Sequence, residues 1–104
     1  MNQPVVGFRS GTFPGIDFAR MQTLPGVKSV MEGCDESGRR LSDRELRIVL
    51  ESGVKLIIMR SLELSLVYDV CAHYPDGTLS SLCEDCNGVE VENIVMLHAA
   101  NGLP

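Results

Sequence analysis

Hydrophobic and polar residues alternate with the greatest regularity in the segment 62–73. The apolar positions share one parity, and they are Leu62, Leu64, Leu66, Tyr68, Val70 and Ala72. The other parity is mostly polar and comprises Glu63, Ser65, Val67, Asp69, Cys71 and His73. Successive side chains of a strand point to opposite faces, whereas a helix would scatter these apolar positions around its circumference. The pattern therefore predicts a half-buried β-strand whose carboxylates, thiol and imidazole face solvent.

Further segments have hydrophobic patterns that are typical of strands. They are Val5–Phe8, Val27–Glu32, the apolar run Val54–Met59 and Val89–His98, with Thr78–Leu82 as a short or irregular candidate. Turn signals follow the alternating segment at Pro75-Asp76-Gly77 and again at Asn87-Gly88. The late strands are therefore expected to be joined by tight turns and to pair antiparallel.

Two segments predict helices. A short helix is expected over Ile16–Leu24, where the Pro-Gly pair that follows ends it. The second, over residues 43–52, has the stronger signal, because Ser42 and Glu45 have the spacing of a capping box. Its apolar stripe at helical spacing consists of Leu46, Val49 and Leu50.

Two helices and about five to six strands, mostly antiparallel, predict an α+β fold with both short helices on one face of the sheet. The 104 residues fit a single globular domain, 1–104. No apolar run approaches the ~20 residues of a membrane span, and the N-terminus lacks the pattern of a signal peptide. We therefore expect a cytoplasmic protein with no membrane partner, whose four cysteines are thiols or metal ligands.

Charge is divided unevenly along the chain, whose formal net charge is −5. Residues 1–60 contain all nine basic residues and seven acidic ones, for a net charge of +2. Residues 61–104 contain seven acidic residues and neither Lys nor Arg, for a net charge of −7. Such a field attracts basic surfaces and repels phosphates, so a nucleic-acid partner is disfavoured. A solvated surface that only maintains solubility would have the same composition.

The acidic half predicts a non-enzymatic interaction module, an inhibitor or adaptor. It would dock its negatively charged C-terminal sheet on a basic surface of a partner protein. The expected contacts are Glu63, Asp69, Glu84, Asp85, Glu90 and Glu92. Attraction between the positive and negative halves would instead favour a homo-oligomer.

A zinc-stabilised binding module is the second hypothesis. Cys71 and His73 share one face of the predicted strand, and Cys83 and Cys86 form a Cys-x-x-Cys pair beyond a predicted turn. Thiolate and imidazole groups in this arrangement provide the tetrahedral Cys₃His set that suits zinc. Free thiols beside a surface histidine are the alternative. The two carboxylates between Cys83 and Cys86 disfavour a thiolate and, with it, a redox function.

Enzyme activity has little support in the sequence, which contains no nucleophile elbow, P-loop or dinucleotide fingerprint. No catalytic residue is therefore predicted. A small-ligand-binding protein or enzyme that uses His73, His98 and the cysteines is the third hypothesis. Four arginines fall within nine residues and would suit an anion site or a nucleic-acid contact, but acidic residues interleave with them, which favours a solvated, self-neutralised helix face. They are Arg39, Arg40, Arg44 and Arg47.

Overall fold

The computed structural model describes residues 13–61 and 67–101, which contain two helices and five strands. In chain order these elements are α1 (Phe18–Thr23), β1 (Val27–Glu32), β2 (Glu45–Leu50), β3 (Lys55–Arg60), β4 (Tyr68–His73), β5 (Leu79–Cys86) and α2 (Gly88–Asn101). The strands form one antiparallel sheet in the order β1–β2–β3–β4–β5, in which each strand pairs with the next. The protein is therefore of the α+β type. The described part has five strands rather than five to six, and its second helix is C-terminal.

Several elements lie where the sequence predicts them. The helix α1 and the strands β1 and β3 match their predicted segments, and β5 extends the short candidate strand that begins at Thr78. The strand β4 confirms the second half of the alternating segment, because Tyr68, Val70 and Ala72 are buried. Its first half, residues 62–66, lies outside the described residues, as does the predicted strand Val5–Phe8.

Both helices cover the same face of the sheet. Met21 of α1 belongs to one buried cluster with Val91, Val95 and Ala99 of α2. The strands contribute to this cluster Val30, Leu46, Ile48, Leu50, Leu56, Ile58, Tyr68, Val70, Ala72 and Cys86. Because side chains alternate along a strand, the intervening residues lie on the opposite side of the sheet. We call the helix-covered side the inner face and the opposite side the outer face.

The predicted helix over residues 43–52 is wrong, because this segment contains the strand β2. Leu46, Ile48 and Leu50 are at most 1% exposed and recur with a period of two. Pairing with β1 on one side and β3 on the other satisfies the backbone of β2. The hydroxyl of Ser42 accepts a hydrogen bond from the Arg44 N–H at 3.1 Å and forms a local turn rather than a helix cap.

The predicted strand Val89–His98 is also wrong, because these residues lie in α2. Asn87 is the N-cap of this helix: its side-chain oxygen accepts a hydrogen bond from the Glu90 N–H at 2.9 Å. The Glu90 carboxylate in turn accepts a hydrogen bond from the Asn87 N–H at 2.9 Å. This reciprocal pair is a capping box. The buried residues of α2 recur at helical spacing and are Gly88, Val91, Glu92, Val95 and Ala99.

The first turn of α2 packs directly on the backbone of the segment that precedes α1. A Cβ atom at Gly88 would lie 2.5 Å from the carbonyl carbon and 2.8 Å from the Cα of Gly15. The same segment is anchored to the sheet, because the Tyr68 hydroxyl donates a hydrogen bond to the Pro14 carbonyl. The Tyr68 ring also stacks on Phe13, with 6.2 Å between ring centroids. Residues 13–17 therefore connect the inner face of the sheet to α2.

Candidate functional site

The outer face of the sheet has no helix against it in the described part of the chain. Antiparallel register places Lys55 opposite His73, and His73 opposite Leu79, across β3, β4 and β5. The next row contains Arg47, Ile57, Cys71 and Ser81. Directly paired residues project to the same side of a sheet. The cations of β2 and β3, the free thiol of β4 and the imidazole of β4 therefore share this face.

Ion pairs cross the middle of the outer face. The carboxylate of Glu36, in the loop after β1, lies 2.6 Å from the Lys55 ammonium and 3.5 Å from the Arg47 guanidinium. Arg47 also pairs with Glu45 at 2.9 Å. The hydrogen bond from Lys55 is the main cause that lowers the pKa of Glu36 below its usual range. These charges neutralise one another across the sheet, so the predicted helix face around Arg47 is wrong and its ion pairs lie on the strand β2 instead.

Four acidic residues lie at the start of β4, the end of β5 and the start of α2. We call this group the acidic corner, and its members are Asp69, Glu84, Asp85 and Glu90. All four residues are exposed. The Asp69 carboxylate accepts a hydrogen bond from the Asp85 N–H at 3.0 Å, which ties β4 to the end of β5. Asp85 adopts a positive φ of 54°, a conformation that Asp tolerates better than most residues.

No ion pair with a described residue neutralises the acidic corner, whereas other carboxylates of the described part have cationic partners. Those partnered carboxylates are Glu36, Asp43, Glu45 and Glu92. Of the six predicted contact residues, four thus lie in the acidic corner. Glu63 lies outside the described residues.

Glu92, the sixth predicted contact residue, is buried rather than exposed. It is 8% exposed, and its carboxylate accepts a hydrogen bond from the Asp17 N–H at 2.6 Å. The same carboxylate lies 3.3 Å from the guanidinium of Arg20 in α1. Glu92 therefore connects α2 to the beginning of α1.

Replacing Glu92 tests this connection. We expect Glu92→Ala to lower the free energy of unfolding by about 1–3 kcal/mol, because it leaves the Asp17 N–H without its acceptor. Glu92→Gln keeps an oxygen acceptor and should cost less. Urea denaturation of both variants measures the difference, and an alanine variant as stable as the wild type would contradict the structural role.

The four predicted zinc ligands are divided between the two faces of the sheet. Cys83 and Cys86 form a disulfide, so the expectation that all four cysteines are thiols or metal ligands is wrong for this pair. Cys86 is buried in the inner-face cluster, and Cys83 packs against it. Cys71 and His73 lie on the outer face. Among residues 13–61 and 67–101, no three His, Cys, Asp or Glu side chains are grouped as a metal site would require. Zinc binding stays a prediction, and elemental analysis of protein purified without a histidine tag tests it.

The other predicted histidine, His98, lies on α2 rather than in a strand. Its Nδ1 atom is 2.9 Å from the Ile94 carbonyl one turn earlier, so the ring packs along its own helix. His98 is therefore separate from the outer face that carries His73. Within the described ranges, no helix is both long and apolar enough to cross a membrane.

Comparison with known proteins gives no match: no protein-family model fits the chain, and no curated protein or solved structure is significantly similar to it.

Proposed function

We propose that this protein acts by binding, as an inhibitor or adaptor whose acidic corner docks on a basic surface of a partner protein. The observation that carries this proposal is the group of four exposed carboxylates that no described cation neutralises. Adjacent like charges repel one another, and a cationic partner relieves this repulsion on binding. The chemistry that fits the corner is a Lys- and Arg-rich protein surface.

The construction of the corner also supports a docking role. Hydrogen bonds position two of its four carboxylates. The Asp69 carboxylate accepts from the Asp85 N–H, and the Glu90 carboxylate accepts from the N–H of the N-cap residue Asn87. Carboxylates that are already positioned lose less conformational entropy when a partner binds than freely rotating side chains do. Complementary charge at such a surface mainly raises the association rate and selects the partner.

A matched pair of charge variants tests the proposal. Glu84→Gln with Asp85→Asn and Asp43→Asn with Glu51→Gln each remove two exposed negative charges, but only the first pair removes them from the corner. We expect the corner variant to bind a basic partner on the order of tenfold more weakly, and the control to bind nearly as the wild type does. The amide replacements preserve side-chain size.

Affinity capture from the host lysate, followed by binding measurements on the purified partner, provides the readout. A partner with a basic surface that is lost with the corner variant, retained with the control and weakened steeply by salt would support the proposal. Equal loss with both variants, or binding that is indifferent to salt, would overturn it. Capture of a second copy of this chain would show self-association instead.

A further inference from the structure

We infer that a cleft at the opposite end of the β4–β5 hairpin binds a small organic anion, with its carboxylate or phosphate group on Lys55 and Arg47. The cleft has a volume of about 260 Å³ and lies beside the turns that join β2 to β3 and β4 to β5. This is close to the lower end of the range for ligand pockets, about 300 Å³, so the ligand is small. The inference goes beyond the docking role of the acidic corner.

Cross-strand register assembles the polar side of the cleft. Lys55 of β3 and His73 of β4 are direct partners, and both line the cleft. Arg47 of β2 pairs with Ile57, two residues from Lys55, so the two cations are diagonal neighbours on the outer face. Three strands therefore hold the ammonium, the guanidinium and the imidazole on one rigid surface.

Both charged residues that line the cleft are cationic, and Glu36, which lies outside the lining, pairs with each of them. Arg47 and Lys55 line it, whereas no acidic residue does, in a chain whose net charge is −5. Glu36 occupies only one of the three donors of the Lys55 ammonium. Donor capacity thus remains for an added anion.

The other side of the cleft is apolar. Its residues are Tyr74, Pro75 and Leu79. Leu79 is 64% exposed although it is large and hydrophobic, so a ligand ring that covered it would gain by removing apolar surface from water. The two turns come into contact here, because a Cβ atom at Gly53 would lie 3.2 Å from the Cγ of Pro75. An anionic group joined to a flat apolar ring matches both sides.

Benzoate and benzamide are matched probes, because they have the same shape and differ in charge. In an amide chemical-shift titration of the ¹⁵N-labelled protein, we expect benzoate to bind with a Kd on the order of 1 mM. Shifts should concentrate on Gly53, Lys55, His73 and Gly77, and leave the acidic corner unmoved. Benzamide should bind at least about tenfold more weakly, because it lacks the charge.

Two substitutions with opposite expected effects separate an anion site from a general loss of structure. Lys55→Gln should weaken benzoate about tenfold, whereas Lys28→Gln, which removes an exposed charge on β1, should not. Glu36→Gln should strengthen benzoate about threefold, because Glu36 competes for Lys55 and Arg47. Asp43→Asn, on the exposed loop, is its control.

The inference is overturned if cleft amides do not move at about 10 mM benzoate, or if benzamide binds equally well. It is also overturned if Lys28→Gln weakens binding as much as Lys55→Gln, or if Glu36→Gln weakens it. None of these outcomes depends on the acidic corner, so the two proposals fail separately.

Discussion

Replacing Gly88 by alanine is expected to destabilise the protein by about 3 kcal/mol or more. The added Cβ atom would lie 2.5 Å from the carbonyl carbon of Gly15, where only backbone atoms are present to move. The first turn of α2 would have to separate from the segment that precedes α1. An isolated helix would respond in the opposite direction, because alanine is a better helix former than glycine by about 1 kcal/mol.

The sign of the Gly88→Ala effect therefore decides whether this close approach exists. Val89→Ala is the control, since Val89 is the next residue and is 66% exposed. Urea denaturation should give a large loss for the first variant and a small change for the second. A Gly88→Ala variant that is as stable as the wild type would contradict the packing of α2 on Gly15.

Raising the pH from 10 to 12 is expected to remove about 2 kcal/mol of stability through Tyr68 alone. Burial raises the pKa of Tyr68 from its ordinary value of 10.0 to about 12, and the nearby charge of Arg60 opposes part of that shift. The phenol stays neutral to higher pH in the folded protein than in the unfolded chain. Its contribution is complete well below pH 10 and is lost as the pH rises from 10 through 12.

The chain has two tyrosines, which makes this prediction directly measurable. In a Tyr74→Phe variant, tyrosinate absorbance reports on Tyr68 alone and should rise near pH 12 in the folded state. Tyr68→Phe should reduce the fall in the free energy of unfolding between pH 10 and 12, whereas Tyr74→Phe should leave this fall unchanged. Titration of Tyr68 near its ordinary value would contradict the burial of its hydroxyl against Pro14.

The hydrophobic pattern of β4 has a single interpretation, and the predicted strand is confirmed there. Tyr68, Val70 and Ala72 alternate strictly, which a helix cannot bury on one side. In β2 the pattern was ambiguous, because Leu46 and Leu50 fit both a period of two and a period near 3.6. The strand neighbours on both sides decide between them, and no local signal reveals those neighbours.

The end of the chain shows the reverse ambiguity. Asn87 and Gly88 are typical of a hairpin turn, but Asn is equally a helix N-cap, and Glu90 stands at the capping-box position. Reading that spacing together with Val91 and Val95 would have identified α2. The β-branched residues of this segment favoured a strand, and packing of the helix on the sheet overrode that preference.

The negative charge of the acidic corner was predictable from the sequence, but the residues that form it were not. The absence of Lys and Arg after residue 60 indicated the sign of the surface, and it could not show that Glu92 is buried against α1. The cleft was not predictable without β2, because Arg47 and Lys55 become neighbours only when both lie on paired strands. In a helix over residues 43–52, Arg47 would have no strand register that places it beside Lys55.

The most direct test of the acidic corner is an amide chemical-shift map of the ¹⁵N-labelled protein titrated with an arginine-rich peptide. The largest shifts should fall on Asp69, Glu84, Asp85 and Glu90 and diminish steeply with added salt. Shifts centred on any other surface, or spread evenly over the chain, would contradict the claim that the corner is where this protein meets a basic partner.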